Sequence, residues 1–133
     1  MTRMEDFLIE ILESLGLPVY RQGSMTEKTY PESFFTFWNT ESPDHAYYDN
    51  KDYGTEWAFM VNCYSSDPAV PYENLMETRR LLKQNEWTVP GKGYDVYSDE
   101  PTHTGRGMTI YFLETDKDYS FIVNDGAKFL IAE

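Results

Sequence analysis

Three side chains in this sequence have chemistry that turns on near neutral pH, namely His45, His103 and Cys63. Nucleophilic catalysis needs a Cys or Ser beside a base, with a third group orienting that base. The two histidines lie in polar stretches far apart in the chain, and neither belongs to a motif such as Gly-x-Ser-x-Gly. Solvated loop histidines are the reading the sequence favours. Cys63 falls in Thr55 to Tyr64, where Trp57, Phe59, Val61 and Cys63 alternate with Ala58, Met60, Asn62 and Tyr64. That period places the thiol among large apolar neighbours and predicts an inert core cysteine. A single cysteine permits no internal disulfide, and one Cys with two His does not complete a structural zinc set.

Three segments carry partial ligand-binding patterns. Pro90-Gly91-Lys92-Gly93 contains Gly-Lys, but a phosphate loop requires a glycine at position 86, which is Glu, and a helix afterwards, where a strand is expected. It reads as a turn. His103-Thr104-Gly105-Arg106-Gly107 offers backbone amides and a guanidinium to an anion, although glycines flanking an arginine at a strand mouth point more readily to a hairpin turn. Asp49-Asn50-Lys51-Asp52-Tyr53-Gly54 has the outline of a calcium loop, yet Lys51 occupies the third ligand position and Met60 the twelfth. Asp116-Lys117-Asp118 fails in the same way. No catalytic constellation emerges, and neither a metal nor a cofactor is expected.

Charge narrows the classes further. The chain has 133 residues, with 23 acidic and 11 basic side chains, a formal charge of −12 and a pI near 4.4. Gripping nucleic acid or an anionic membrane requires a basic patch, so both are disfavoured. A chain of this length buries roughly 68% of its extended surface, enough for one real core. Aromatic residues make up 17% of it, which argues for a folded domain despite the charge. No apolar run reaches ~18 residues and the N-terminus lacks the form of a secretion signal, so the expected site of synthesis and folding is the cytosol.

The elements follow from periodicity. Thr2 and Glu5 form a capping box ahead of Met4, Phe7, Leu8, Ile11 and Leu15 on one helical face, with Leu12 at its margin and Gly16 as the stop. The opposite face carries Asp6, Glu10 and Glu13 with no basic residue at helical spacing, either a solvated acidic stripe or a docking face for a basic partner. Strands are expected over Val19 to Arg21, Ser33 to Asn39 (aromatic on both faces, hence covered on both) and Thr55 to Tyr64. Thr40 to Gly54 is too long for a hairpin and bears Tyr47, Tyr48, Asp49, Asp52 and Tyr53, so it is expected to be a contact surface. A second helix should start near Asp67, Pro68 and Pro71, bury Leu75, Thr78 and Leu82, pair Glu77 with Arg80 and close at Asn85. Strands over Tyr94 to Tyr97 and Gly107 to Glu114 follow, then a terminal Asn-Asp-Gly-Ala hairpin. The expected fold is α+β, two helices packed on a largely antiparallel sheet in the order αβββαββ, with a C-terminal hairpin. Residues 1–114 form the domain and residues 115–133 an appended hairpin or arm.

That order, with Pro31-Glu32-Ser33-Phe34-Phe35-Thr36-Phe37-Trp38 leading into the long loop, Asn85-Glu86-Trp87 closing the second helix and Tyr111-Phe112-Leu113-Glu114 ending the final hairpin, resembles the tail-terminator, or tail-completion, proteins of tailed phages and prophages. The resemblance covers about residues 1–114. It implies a non-enzymatic virion component made in the bacterial cytoplasm. Such proteins form a ring, usually of six subunits, that caps the tail tube and gives the head-completion or connector protein its docking surface. Its partners would be copies of itself, the tail-tube protein and the connector, with no membrane and no sequence-specific nucleic acid. Carried onto this chain, Tyr47, Tyr48, Asp49, Asp52 and Tyr53 would contact the tube or a neighbouring subunit, while Asp6, Glu10 and Glu13 would face outward or meet an adjacent protein. Six chains sum to about −72, and a carboxylate-lined lumen would repel DNA phosphate rather than hold it. Other classes stay open at this stage: a different neck, head-closure or minor capsid component, an acidic inhibitor or DNA mimic bound to a host protein, or a small enzyme or ligand-binding module.

Overall fold

The computed structural model describes residues 2–22, 30–42, 44–46 and 53–115. They form α1 (Arg3–Glu13), β1 (Val19–Arg21), β2 (Ser33–Glu41), β3 (Asp44–Ala46), β4 (Tyr53–Ser65), α2 (Val70–Gln84), β5 (Tyr94–Val96) and β6 (Thr104–Thr115). The fold is α+β as expected, with two helices on one mixed sheet of order β1-β2-β4-β6-β5. Every pairing is antiparallel except β1 with β2. The expected terminal hairpin, residues 115–133, lies almost wholly outside the described residues.

Part of the long loop expected between the second and third strands is sheet, the described residues 40–41, 44–46 and 53–54 all being strand. A bulge between Asn39 and Glu41 shifts the register of β2 against β4, and β3 then continues along the same side of β4, with Asp44, His45 and Ala46 opposite Thr55, Gly54 and Tyr53. Chain polarity hid this. Asp44 and Ala46 are poor strand formers, yet the pairing is supplied by β4, a 13-residue strand whose N-terminal end would otherwise leave its ladder open.

Alternation along β2, β4 and β6 sends Phe35, Phe37, Phe59, Val61, Cys63, Met108 and Ile110 towards the helices, where they pack on Leu8, Leu12, Leu75 and Leu82. Leu12 is fully buried and not marginal, because the Thr2–Glu5 capping box fixes the entry of α1 and turns Met4, Leu8, Ile11 and Leu12 together onto the sheet. On the other face, Phe34 is buried among Tyr20, Tyr30, Tyr64 and His103, with ring centroids 5.3 to 6.0 Å away. The two-sided aromatic pattern of β2 is thus covered by helices on one side and by neighbouring rings on the other.

Helix ends are set locally. α2 starts at Val70 with Pro71 in its first turn, but Asp67 does not cap it; its Oδ1 accepts from the amide of Ala69, the residue just before the helix. At the other end, the Trp87 amide donates to Leu82 O and the Glu86 amide to Lys83 O, with Glu86 at φ 73°. This is a Schellman closure with a glutamate in the left-handed position. It swings Trp87 into the core against Phe7, Phe59 and Phe112.

Candidate functional surface

The residues expected to do work at a partner surface are only partly described. Tyr47, Tyr48, Asp49 and Asp52 lie outside the described residues. Tyr53 opens β4 opposite Ala46, which makes it part of the sheet and not the tip of a loop. Asp6, Glu10 and Glu13 are exposed on the face of α1 turned away from the sheet, and among the described residues no ion pair reaches them. The last turn of α1 holds no basic residue, so Glu13 stays against the negative end of the helix dipole.

The acid of α1 that does find a cation is Glu5, on the buried side. Its carboxylate accepts from the Thr2 amide at 2.9 Å and from Arg21 Nε at 3.0 Å, tying the start of α1 to β1. Burial pushes the Glu5 carboxyl up, but the Thr2 amide and the Arg21 guanidinium outweigh it and hold its pKa below the ordinary carboxylate value. No helical spacing reveals such a pair, since Arg21 arrives from a strand. Arg3 likewise pairs with Glu114 at the far end of β6, and Glu114 also accepts from Trp57 Nε1 at 3.0 Å.

The segment around Arg106 is neither a turn nor an anion cradle. Thr104 to Gly107 begin β6, and the glycines are there because a side chain has no room. A Cβ on Gly105 would meet the Tyr64 ring at 2.6 Å, and one on Gly107 would meet Asn62 Oδ1 at 2.0 Å. The Arg106 guanidinium donates to Asp95 Oδ1, Lys92 O and Gly93 O, with its carbon 5.2 Å from the centre of the Tyr72 ring. Those bonds staple the chain entering β5 onto β6.

His103 also differs from a solvated loop histidine. Its Nε2 lies 2.8 Å from Pro31 O, its Nδ1 lies 2.9 Å from Thr102 Oγ1, and its ring meets Tyr30 and Phe34. Pro31 O can only accept, so Nε2 is the donor and the ring clamps the lead-in to β2. His45 lies in β3. Cys63 is fully buried, and burial pushes its thiol up to about 12 against a smaller opposing hydrogen bond from Asn74. Among the described residues, no three His, Cys, Asp or Glu side chains converge as a metal site, and no helix is long and apolar enough to cross a membrane.

A surface the sequence did not single out lies where α2 approaches β5. Tyr72, Pro68, Pro71 and Tyr97 line a groove of about 680 Å³ together with Arg106, Asp95 and Glu100. Comparison of the chain with protein-family models and with curated protein sequences finds no match.

Proposed function

We propose that the chain is a non-enzymatic structural protein of a phage or prophage virion, which assembles as a ring on the end of the tail tube and gives the head connector its docking surface. The observation that carries this reading is the outward face of α1, where Asp6, Glu10 and Glu13 stand exposed and without ion pairs among the described residues on a helix otherwise fixed firmly to the sheet. A rigid face on which three carboxylates stand without ion pairs suits contact with a large partner better than chemistry on a small molecule. The α+β order and the aromatic approach to β2 supply the further support of family likeness.

Electron microscopy of the purified protein, alone and mixed with tail tubes, tests the proposal. Rings of about six subunits at tube ends are expected. Failure to form rings and to bind tube ends sinks it, and a ring whose channel is lined by lysine and arginine sinks the proposed role of charge in letting DNA pass.

A further inference from the structure

Two exposed tyrosines meet at the corner of the sheet beside β5. Among the described residues the exposed large apolar side chains are Tyr72, Tyr94, Tyr97 and Leu113; Tyr72 and Tyr97 line one groove at this corner, while Tyr94, opposite Gly107, lies on the other face of the sheet and reaches Met60 Sδ. Tyr97 directly follows β5 and is 100% exposed, and Tyr72, from α2, lines the same groove. Scattered exposed rings are ordinary, whereas clustered ones mark a place where something docks.

Two further features specify the occupant. β5 ends the sheet, and its outer side carries no strand among the described residues, so its backbone groups are a template for one more. Two carboxylates belong to the lining of the groove beside it: Asp95 keeps its side chain 89% exposed even while it accepts from Arg106, and Glu100 lines the same groove. The cation inside, Arg106, is already engaged by Asp95, two carbonyls and the Tyr72 face. Carboxylates and tyrosine faces together attract ammonium and guanidinium groups.

We infer that the β5 edge is a docking site for an extended segment of a partner protein in which lysine or arginine alternates with apolar residues. The segment adds as a strand outside β5, directs its cations to Asp95 and Glu100, and lays an apolar side chain between Tyr72 and Tyr97. A second copy of this chain fits poorly at this edge, because it would set Asp95 and Glu100 against their own counterparts. The inference does not rest on the ring reading and stands or falls separately from it.

The test uses the full chain and two libraries of heptapeptides, one alternating Lys or Arg with Val, Ile or Tyr, the other with Glu or Asp in place of the cations. Saturable binding is expected from the basic library only, weakening as salt screens the carboxylates. The tightest member should slow amide exchange of residues 94–98 about tenfold. Tyr97→Ala and Glu100→Lys should each weaken binding at least about fivefold with the melting temperature unchanged, since neither side chain supports the core. The inference is overturned if the basic library shows no saturable binding, if protection falls on α1 instead of β5, or if both substitutions leave affinity unchanged. Sedimentation showing a dimer that Tyr97→Ala dissolves would assign the edge to a second copy and overturn it equally.

Discussion

Gly107→Ala would measure how rigidly β4 and β6 close on each other. Gly107 lies opposite Asn62. An added Cβ would sit 2.0 Å from Asn62 Oδ1, 3.2 Å from Asn62 Cγ and 2.6 Å from Met60 Cε, far inside the ordinary contact distance of 3.4 Å. Met60 Cε is the end of a flexible side chain and can move aside. Asn62 cannot easily do so, being short, buried and flanked by β2 and β6. Overpacking of this kind costs about 1–3 kcal/mol. Alanine returns about 0.4–1 kcal/mol by restricting the unfolded chain. The net is a loss of about 1–2 kcal/mol, or a fall in Tm of about 3–8 °C for a domain of this size. Gly91→Ala is the control, because a Cβ there meets nothing within 4 Å, and it should melt within about 2 °C of the parent.

The same geometry predicts its own rescue. Asn62 Oδ1 has no hydrogen-bond partner, and Nδ2 reaches Thr36 Oγ1 only at 3.5 Å, so trimming Asn62 removes the obstacle and little bonding. Thermal unfolding of Gly107→Ala, Asn62→Ser and the double variant should give a favourable coupling of about 1 kcal/mol or more. A Gly107→Ala protein that melts with the parent would refute the close approach. A double variant as unstable as the sum of the two singles would refute Asn62 as its cause.

Three other outcomes are expected. Arg21→Met should lower stability by about 1–2 kcal/mol at pH 7, discounted because Arg21 is half exposed. Glu5 has its pKa depressed in the fold, so its contribution is present above the ordinary carboxylate pKa and lost as pH falls through the folded value; urea unfolding should show parent and variant converging as pH falls below the ordinary carboxylate range. Cys63, held at about 12, should react with an aromatic disulfide reagent only at the rate of unfolding. Above about pH 8.5 the unfolded chain ionises this thiol while the folded chain does not, so stability should decline with rising pH, and Cys63→Ala should flatten that decline. Glu86→Gly should raise Tm by a few degrees, worth about 1 kcal/mol, because φ 73° suits glycine; unchanged melting would mean the Schellman closure carries no strain.

What the sequence made legible was whatever is encoded by period or by a local cap. The capping box of α1, the buried faces of both helices, the Glu77–Arg80 pair and the placement of Cys63 all follow from residues within a few positions of one another. What it hid depends on partners far away in the chain. β3 forms because β4 is already long, Gly105 and Gly107 are explained by Tyr64 and Asn62 on another strand, and His103 bonds to Pro31. The exposed tyrosines at β5 were invisible for a related reason: Tyr72 and Tyr97 stand in unremarkable local contexts, and only the approach of α2 to β5 turns them into the walls of one groove.

The arginines show why the surface presented to a partner is so acidic. Arg3, Arg21, Arg80 and Arg106 each join a carboxylate, and Arg79 donates to Gly91 O. Three of these contacts, from Arg3, Arg21 and Arg106, tie one element to another across long stretches of chain, so the cations are engaged in holding the fold while Asp6, Glu10 and Glu13 are left facing water. The arginines are thus committed to contacts within the fold even where, as for Arg3, Arg21 and Arg80, about half of the side chain meets water. On the reading proposed above, a partner arriving from solution meets carboxylates on α1 and carboxylates with tyrosines at β5, two separate faces that would favour basic protein surface over phosphate. Charge reversal confined to α1 should then disturb one association and leave peptide binding at β5 intact, which is how the two faces can be told apart.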